Sequence, residues 1–189
     1  MIQRLSEFKL YVVISGFRNA KIDDVKNFFV AARKELSNVV AVQFFDAELI
    51  ATWQHLYFAT LNALTALDNK TNISNNPAME TLLYASGLRQ ITKATETMGI
   101  KSATKDVAVV IIAKSQKFVE NAVKIVQELI SGEPDDSVLD IDQEKFDKIR
   151  RFFHISDQEL AAKLQEEGFE KEALVDLVIE HGALLATQR

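Results

Sequence analysis

Seven apolar residues stand in a row in the segment DVAVVIIA, Asp106 to Ala113. A strand of that composition has no polar face to turn toward water, so it must be covered on both sides. The chain therefore has to place helices above and below a sheet. The surrounding pattern supplies both kinds of element. Lys9–Phe17 (KLYVVISGF) and Val39–Phe45 (VVAVQFF) are rich in β-branched and aromatic residues and are predicted as strands, the first ended by Gly16.

Helical spacing fills the intervals. After Asp23, read as an N-cap, Val25, Phe28, Phe29, Ala32 and Leu36 recur on one face. Asp46 is read as the cap of a long helix, AELIATWQHLYFATLNALTAL. The turn-forming run DNKTNISNN leads to Pro77, a residue suited to the first helical position. Two short helices follow, about 77–85 and 88–98, broken by Ser86 and Gly87 and closed by Gly99. Phe118, Val119, Ala122, Val123, Val126 and Ile130 mark another helical stripe, stopped by Gly132 and Pro134. Ser137–Ile141 is expected as a short strand, and Asp142 as the start of the helix QEKFDKIRRFF. Ser156 with Glu159 forms a capping-box pattern, and Gly168 separates that helix from EKEALVDLVIEHGALLA. The whole predicts one α/β domain over 1–189: a small few-stranded β-sheet covered by several α-helices, with a helical C-terminal extension from about 156 to 189.

Several chemistries are excluded by what is missing. The chain has no cysteine, so it has no disulfide, thiolate metal site or cysteine nucleophile. Its three histidines, His55, His154 and His181, lack the spacing that sets two metal ligands on one helix face. Asp135, Asp136, Asp140 and Asp142 are read as turn and cap residues, since they lack the glycine and terminal glutamate of an EF-hand loop. No GxGxxG, Walker A or GxSxG pattern occurs. The residues therefore carry none of these catalytic, metal or cofactor signatures, and no metal or cofactor is expected; an active site without a signature is not ruled out by the residues. The apolar runs are strand-length and no signal peptide is read at the N-terminus, so a soluble, cytoplasmic protein without membrane contact is expected.

Charge is unevenly distributed. Residues 1–105 carry 12 Lys+Arg against 9 Asp+Glu, and residues 106–189 carry 10 against 18. A net charge of -5 argues against a broad nucleic-acid surface, which neutralises many phosphates with a basic stripe. It leaves room for a compact basic site in the first part and an acidic surface for a basic protein in the second. Trp53, Tyr57 and Phe58 fit either a buried helix face or a base-stacking platform.

The segment METLLYASGLRQITKATETMGIK, Met79 to Lys101, is the candidate site. Its Leu82, Leu83, Leu88 and Ile91 can anchor a helix pair, while Arg89, Gln90, Lys93 and Lys101 set donors around the glycine junctions. Such donors fit phosphate, base or ribose edges, and equally fit ordinary surface ion pairs.

ASGLRQI, preceded by ISNNPAME and followed by TMGIK, resembles the archaeal form of the PRPK-binding protein family, the small accessory subunit of the KEOPS complex. GEPDDSVLDIDQEKFDKI and FFDAELIATWQHLYFATLNA are similar to two further family segments, so the match runs from about Val12 to Ile149. The resemblance implies a non-catalytic subunit that contacts the kinase-like KEOPS subunit directly and other KEOPS subunits indirectly. It also implies binding of the 3' CCA end of tRNA, in support of threonylcarbamoyladenosine (t6A) modification. Carried onto this sequence, the RNA site comprises Asn75, Arg89, Gln90, Met98 and Lys101, with Lys93 added from helical spacing. Past Ile155 the chain runs longer than the family pattern. There Leu174, Leu177, Val178 and Leu185 are expected either to meet the kinase-like partner or to pack within the chain. A purely protein-binding regulatory subunit is the alternative reading.

Overall fold

The computed structural model describes residues 2–164, 166 and 168–187. Its sheet is antiparallel throughout. The strands are β1 (Ile2–Leu5), β2 (Leu10–Arg18), β3 (Ala41–Asp46), β4 (Val107–Ala113) and a two-residue β5 (Glu133–Pro134), in the order β1-β2-β4-β3, with β5 paired to β2 beyond that path. β4 lies between β2 and β3, pairing Ile111 with Val13 and with Val42. Every residue of β4 is buried.

Burial on both faces follows from how the helices divide. Ala108, Val110 and Ile112 face a core built with α2 (Trp53–Asp68), α3 (Pro77–Ser86), α4 (Ile91–Met98), α6 (Gln143–Phe152) and α8 (Glu170–Leu184). The alternate residues Val107, Val109, Ile111 and Ala113 face a second core with α1 (Val25–Glu35) and α5 (Gln116–Ile130). The double cover inferred from the apolar run is present, although in an antiparallel rather than a parallel sheet. The remaining helix, α7 (Asp157–Lys163), packs against α8.

Local caps explain most element ends. Asn76 accepts from the Ala78 amide at the start of α3, and Gly87 ends that helix in the left-handed region at φ 65°. Asp142 caps α6, and Ser156 with Glu159 forms both halves of a capping box on α7.

Three local expectations are corrected, and one strand, β1, was not expected. The cap of α1 is Asp24, not Asp23. Asp46 closes a single 3₁₀ turn, Ala47–Leu49, by accepting from the Glu48 amide, and α2 begins only at Trp53. Asx-type side chains close a short turn as readily as a helix, so the residue type alone did not distinguish them. Asp136–Leu139 is likewise a 3₁₀ turn rather than a strand, because Asp135 accepts from the Ser137 amide and folds the chain back. β1 lay in a stretch too polar to announce itself.

The segment GEPDDSVLDID latches onto β2. Asp136 accepts from the Gly16 amide at 2.8 Å, the Asp135 amide donates to the Gly16 carbonyl, and Arg18 pairs with Asp135 at 3.0 Å. Its aspartates act as the turn and cap residues read from the sequence, and among the described residues no group of acidic or histidine side chains is arranged to hold a metal ion. No helix among these residues is long and apolar enough to cross a membrane.

Candidate nucleic-acid and partner interface

The α3–α4 corner is built from a buried helix and an open one. Along α3, all residues from Glu80 to Ser86 are buried. Leu82 and Leu83 reach the main core, and Leu88 packs against its edge. The helix α4 buries only Ala94 and Met98, residues four apart on one face. Arg89, Gln90 and Lys93 consequently face solvent, as does Lys101 beyond α4. Ile91, expected in the core, is 41% exposed: it shares a helix face with Ala94 and Met98 but stands at the first residue of α4.

Gln90 occupies the N-cap position of α4 without a side-chain hydrogen bond to the first turn. Amides at a helix start carry the positive end of the helix dipole and have no partner within the helix. Arg89 and Lys93 add two cationic side chains beside that start. Arg89 also lies within electrostatic reach of Tyr84: burial and the Glu80 carboxylate raise the Tyr84 pKa above its ordinary value, while Arg89 opposes them.

Two residues hold this corner in place, and neither was singled out from sequence. Glu80, 1% exposed, accepts from the Ile73 amide at 3.1 Å and the Ser74 amide at 2.6 Å, fixing the loop that carries Asn75. His55 of α2 joins Ala51 to the end of α3. The Ala51 amide donates to its Nδ1 at 3.2 Å, which leaves Nε2 to donate to the Ala85 carbonyl at 2.8 Å. Burial, helped by the positive charge of Lys145 and opposed by the Ala85 carbonyl, lowers the His55 pKa from 6.5 to about 4. A buried polar residue at helical spacing reads as amphipathic noise until the partner element is known.

The six residues assigned to RNA do not form one cluster. Asn75 sits in the loop before α3, where its Oδ1 accepts from Asn72, and Arg89 follows the other end of that helix. Ten helical residues between them span about 15 Å. Met98 is 0% exposed and belongs to the main core, so its place in the site is corrected to a packing role. It lies with Ala94 on the buried face of α4, a side that a linear motif does not reveal. The accessible set is Arg89, Gln90, Lys93 and Lys101, with Asn75 apart.

The proposed partner residues are also redirected. Leu174, Leu177, Val178 and Leu185 are all buried in the main core, where α8 packs on α2 and α3. The approach is close at Gly182, where a Cβ would stand 2.6 Å from the Tyr84 carbonyl oxygen. Apolar spacing on the last helix therefore reports packing within the chain.

Of the aromatic residues considered for stacking, Trp53 and Tyr57 pack on the main core and on each other, with ring centroids 6.0 Å apart. Phe58 alone of the three is 42% exposed.

Comparisons with known proteins place this architecture in a family. A family described as "Kinase binding protein CGI-121" matches residues 22–185. A protein named "Regulatory protein Cgi121", from Methanocaldococcus jannaschii, is 32% identical over 167 residues, covering 88% of this chain and 98% of that protein. The family match takes in both α7 and α8, so the expectation that the chain outruns the family pattern past Ile155 is corrected: these helices lie within it. Both matches agree with the resemblance carried by ASGLRQI and the aspartate-rich latch. The chain belongs to the CGI-121 family of kinase-binding, regulatory proteins.

Proposed function

We propose that this chain is a non-catalytic subunit of KEOPS that binds the kinase-like subunit and recruits tRNA by its 3' CCA end for t6A modification. Family membership supports the kinase contact. The RNA part rests chiefly on one feature, the uncapped start of α4 with Arg89 and Lys93 exposed beside it. A helix start flanked by cations favours phosphate, and a three-nucleotide tail offers few phosphates, so a compact patch suffices on an acidic protein. Gln90 can pair with a base or ribose edge, and exposed Ile91 offers a base an apolar surface. Lys101 extends the basic edge past α4. Asn75 is assigned to a second contact on the same strand.

Binding of intact and CCA-trimmed tRNA tests the reading. Affinity should fall sharply on trimming, and Arg89→Glu should weaken intact tRNA while leaving the melting temperature unchanged. Equal affinity for both tRNAs would sink the RNA assignment. The distance between Asn75 and Arg89 favours the alternative of a purely protein-binding regulatory subunit, which predicts kinase binding without measurable tRNA affinity.

A further inference from the structure

Alone among the described α-helices, α7 buries none of its residues. Only Leu160 and Lys163 are half-covered, and Leu160 rests on the edge of the main core. The neighbouring α8 instead buries Ala173, Leu174, Val175, Leu177, Val178 and Gly182. Apolar burial is the main force that docks a helix, so α8 is fixed far more firmly than the helix lying on it.

What holds α7 is ionic. Lys163 pairs with Glu180 of α8, and Arg150 of α6 pairs with Asp157 at the start of α7. Glu159, which also accepts in the capping box, stands 4.0 Å from His181 Nε2. The Asp157 side chain is 92% exposed and that of Glu180 55%, and exposed pairs are weak and weaken further as salt screens them.

Both ends of α7 permit movement. Ile155 is anchored in the main core and accepts from Arg150 Nε at 3.0 Å, so the fixed frame stops just before the cap, Ser156. At the far end Gly168, at φ 96°, has open space around it before α8 begins. A seven-residue helix does not persist alone in water, so leaving α8 and unwinding are one event for α7.

We infer that α7 is an ionic strap on α8, opening as a unit without the rest of the domain, and that ionic strength sets how often it opens. Opening frees Leu160 from the core edge and bares the side of α8 that carries Glu180 and His181. The core beneath stays closed, since α8 remains packed on α2 and α3.

Amide hydrogen exchange of the full chain tests this, expressed as protection relative to the unfolded chain. It is measured at about 0.1 M and about 1 M salt, between which the screening length falls from about 10 Å to about 3 Å. The amides of Leu160 and Leu164, bonded to the carbonyls of Ser156 and Leu160, report on α7. Their protection should lie at least about a hundredfold below that of α8, as for a locally opening segment. It should fall about threefold more at the higher salt, with a smaller change in α8. Lys163→Met keeps the stem and the helix propensity, so it should speed α7 exchange at the lower salt and blunt the salt response, with the melting temperature unchanged. Equal protection in α7 and α8 at both salts overturns the strap, because α7 would then open only with the whole domain. Low protection that responds neither to salt nor to Lys163→Met overturns its ionic control.

Discussion

His55 sits where α2 meets the end of α3, accepting from Ala51 and donating to Ala85, and it is neutral there because burial lowers its pKa to about 4. In the unfolded chain the same group titrates near 6.5. Between these values the unfolded state binds a proton that the folded state refuses, so stability is full above about 6.5 and declines as pH falls toward about 4. The expected loss is roughly 3 kcal/mol, read from urea denaturation at several pH values, and His55→Gln should flatten that part of the profile. Glu80 plays the matching role for the Asn75 loop. Glu80→Gln keeps the shape but turns an amide donor toward backbone N–H groups, which should cost about 1–3 kcal/mol by denaturant unfolding. Glutamate in a helix after proline reads as a surface or first-turn residue; only the folded-back loop shows why it is buried.

The helix α8 shows how element spacing and element role separate. Its apolar positions were legible, yet their destination was not, because the same stripe suits an inner core and an outer partner. Leu174 is fully buried in the main core, and Leu174→Ala should cost about 2–5 kcal/mol by urea unfolding, the range for an emptied core site. At Gly182 the added methyl of Gly182→Ala would meet the Tyr84 carbonyl at 2.6 Å, pressing α8 off α3. A loss of about 1–3 kcal/mol is expected, seen as a lower melting temperature. The open start of α4 is a contrasting case. Arg89, Gln90 and Lys93 were identified from sequence and are exposed, whereas Met98, at the end of the same helix, is buried in the main core.

Across the molecule the sheet separates two cores, and the C-terminal helix α8 adds to only one of them. Ending the chain at Leu164 would uncover the core face of α2 and α3 that α8 now covers, so the truncated chain should lose cooperative unfolding, as followed by circular dichroism. By itself the sequence determined the doubly covered strand, most helix positions, the capping box, the aspartate latch as turn residues and the family. These are encoded locally, in runs, spacings and caps. Which side chains meet across the fold was decided only by tertiary structure: His55 with Ala85, Glu80 with its loop, and Met98 with the main core. Periodicity says that a helix has an inner face, but the element packed against it decides which residues remain for a partner.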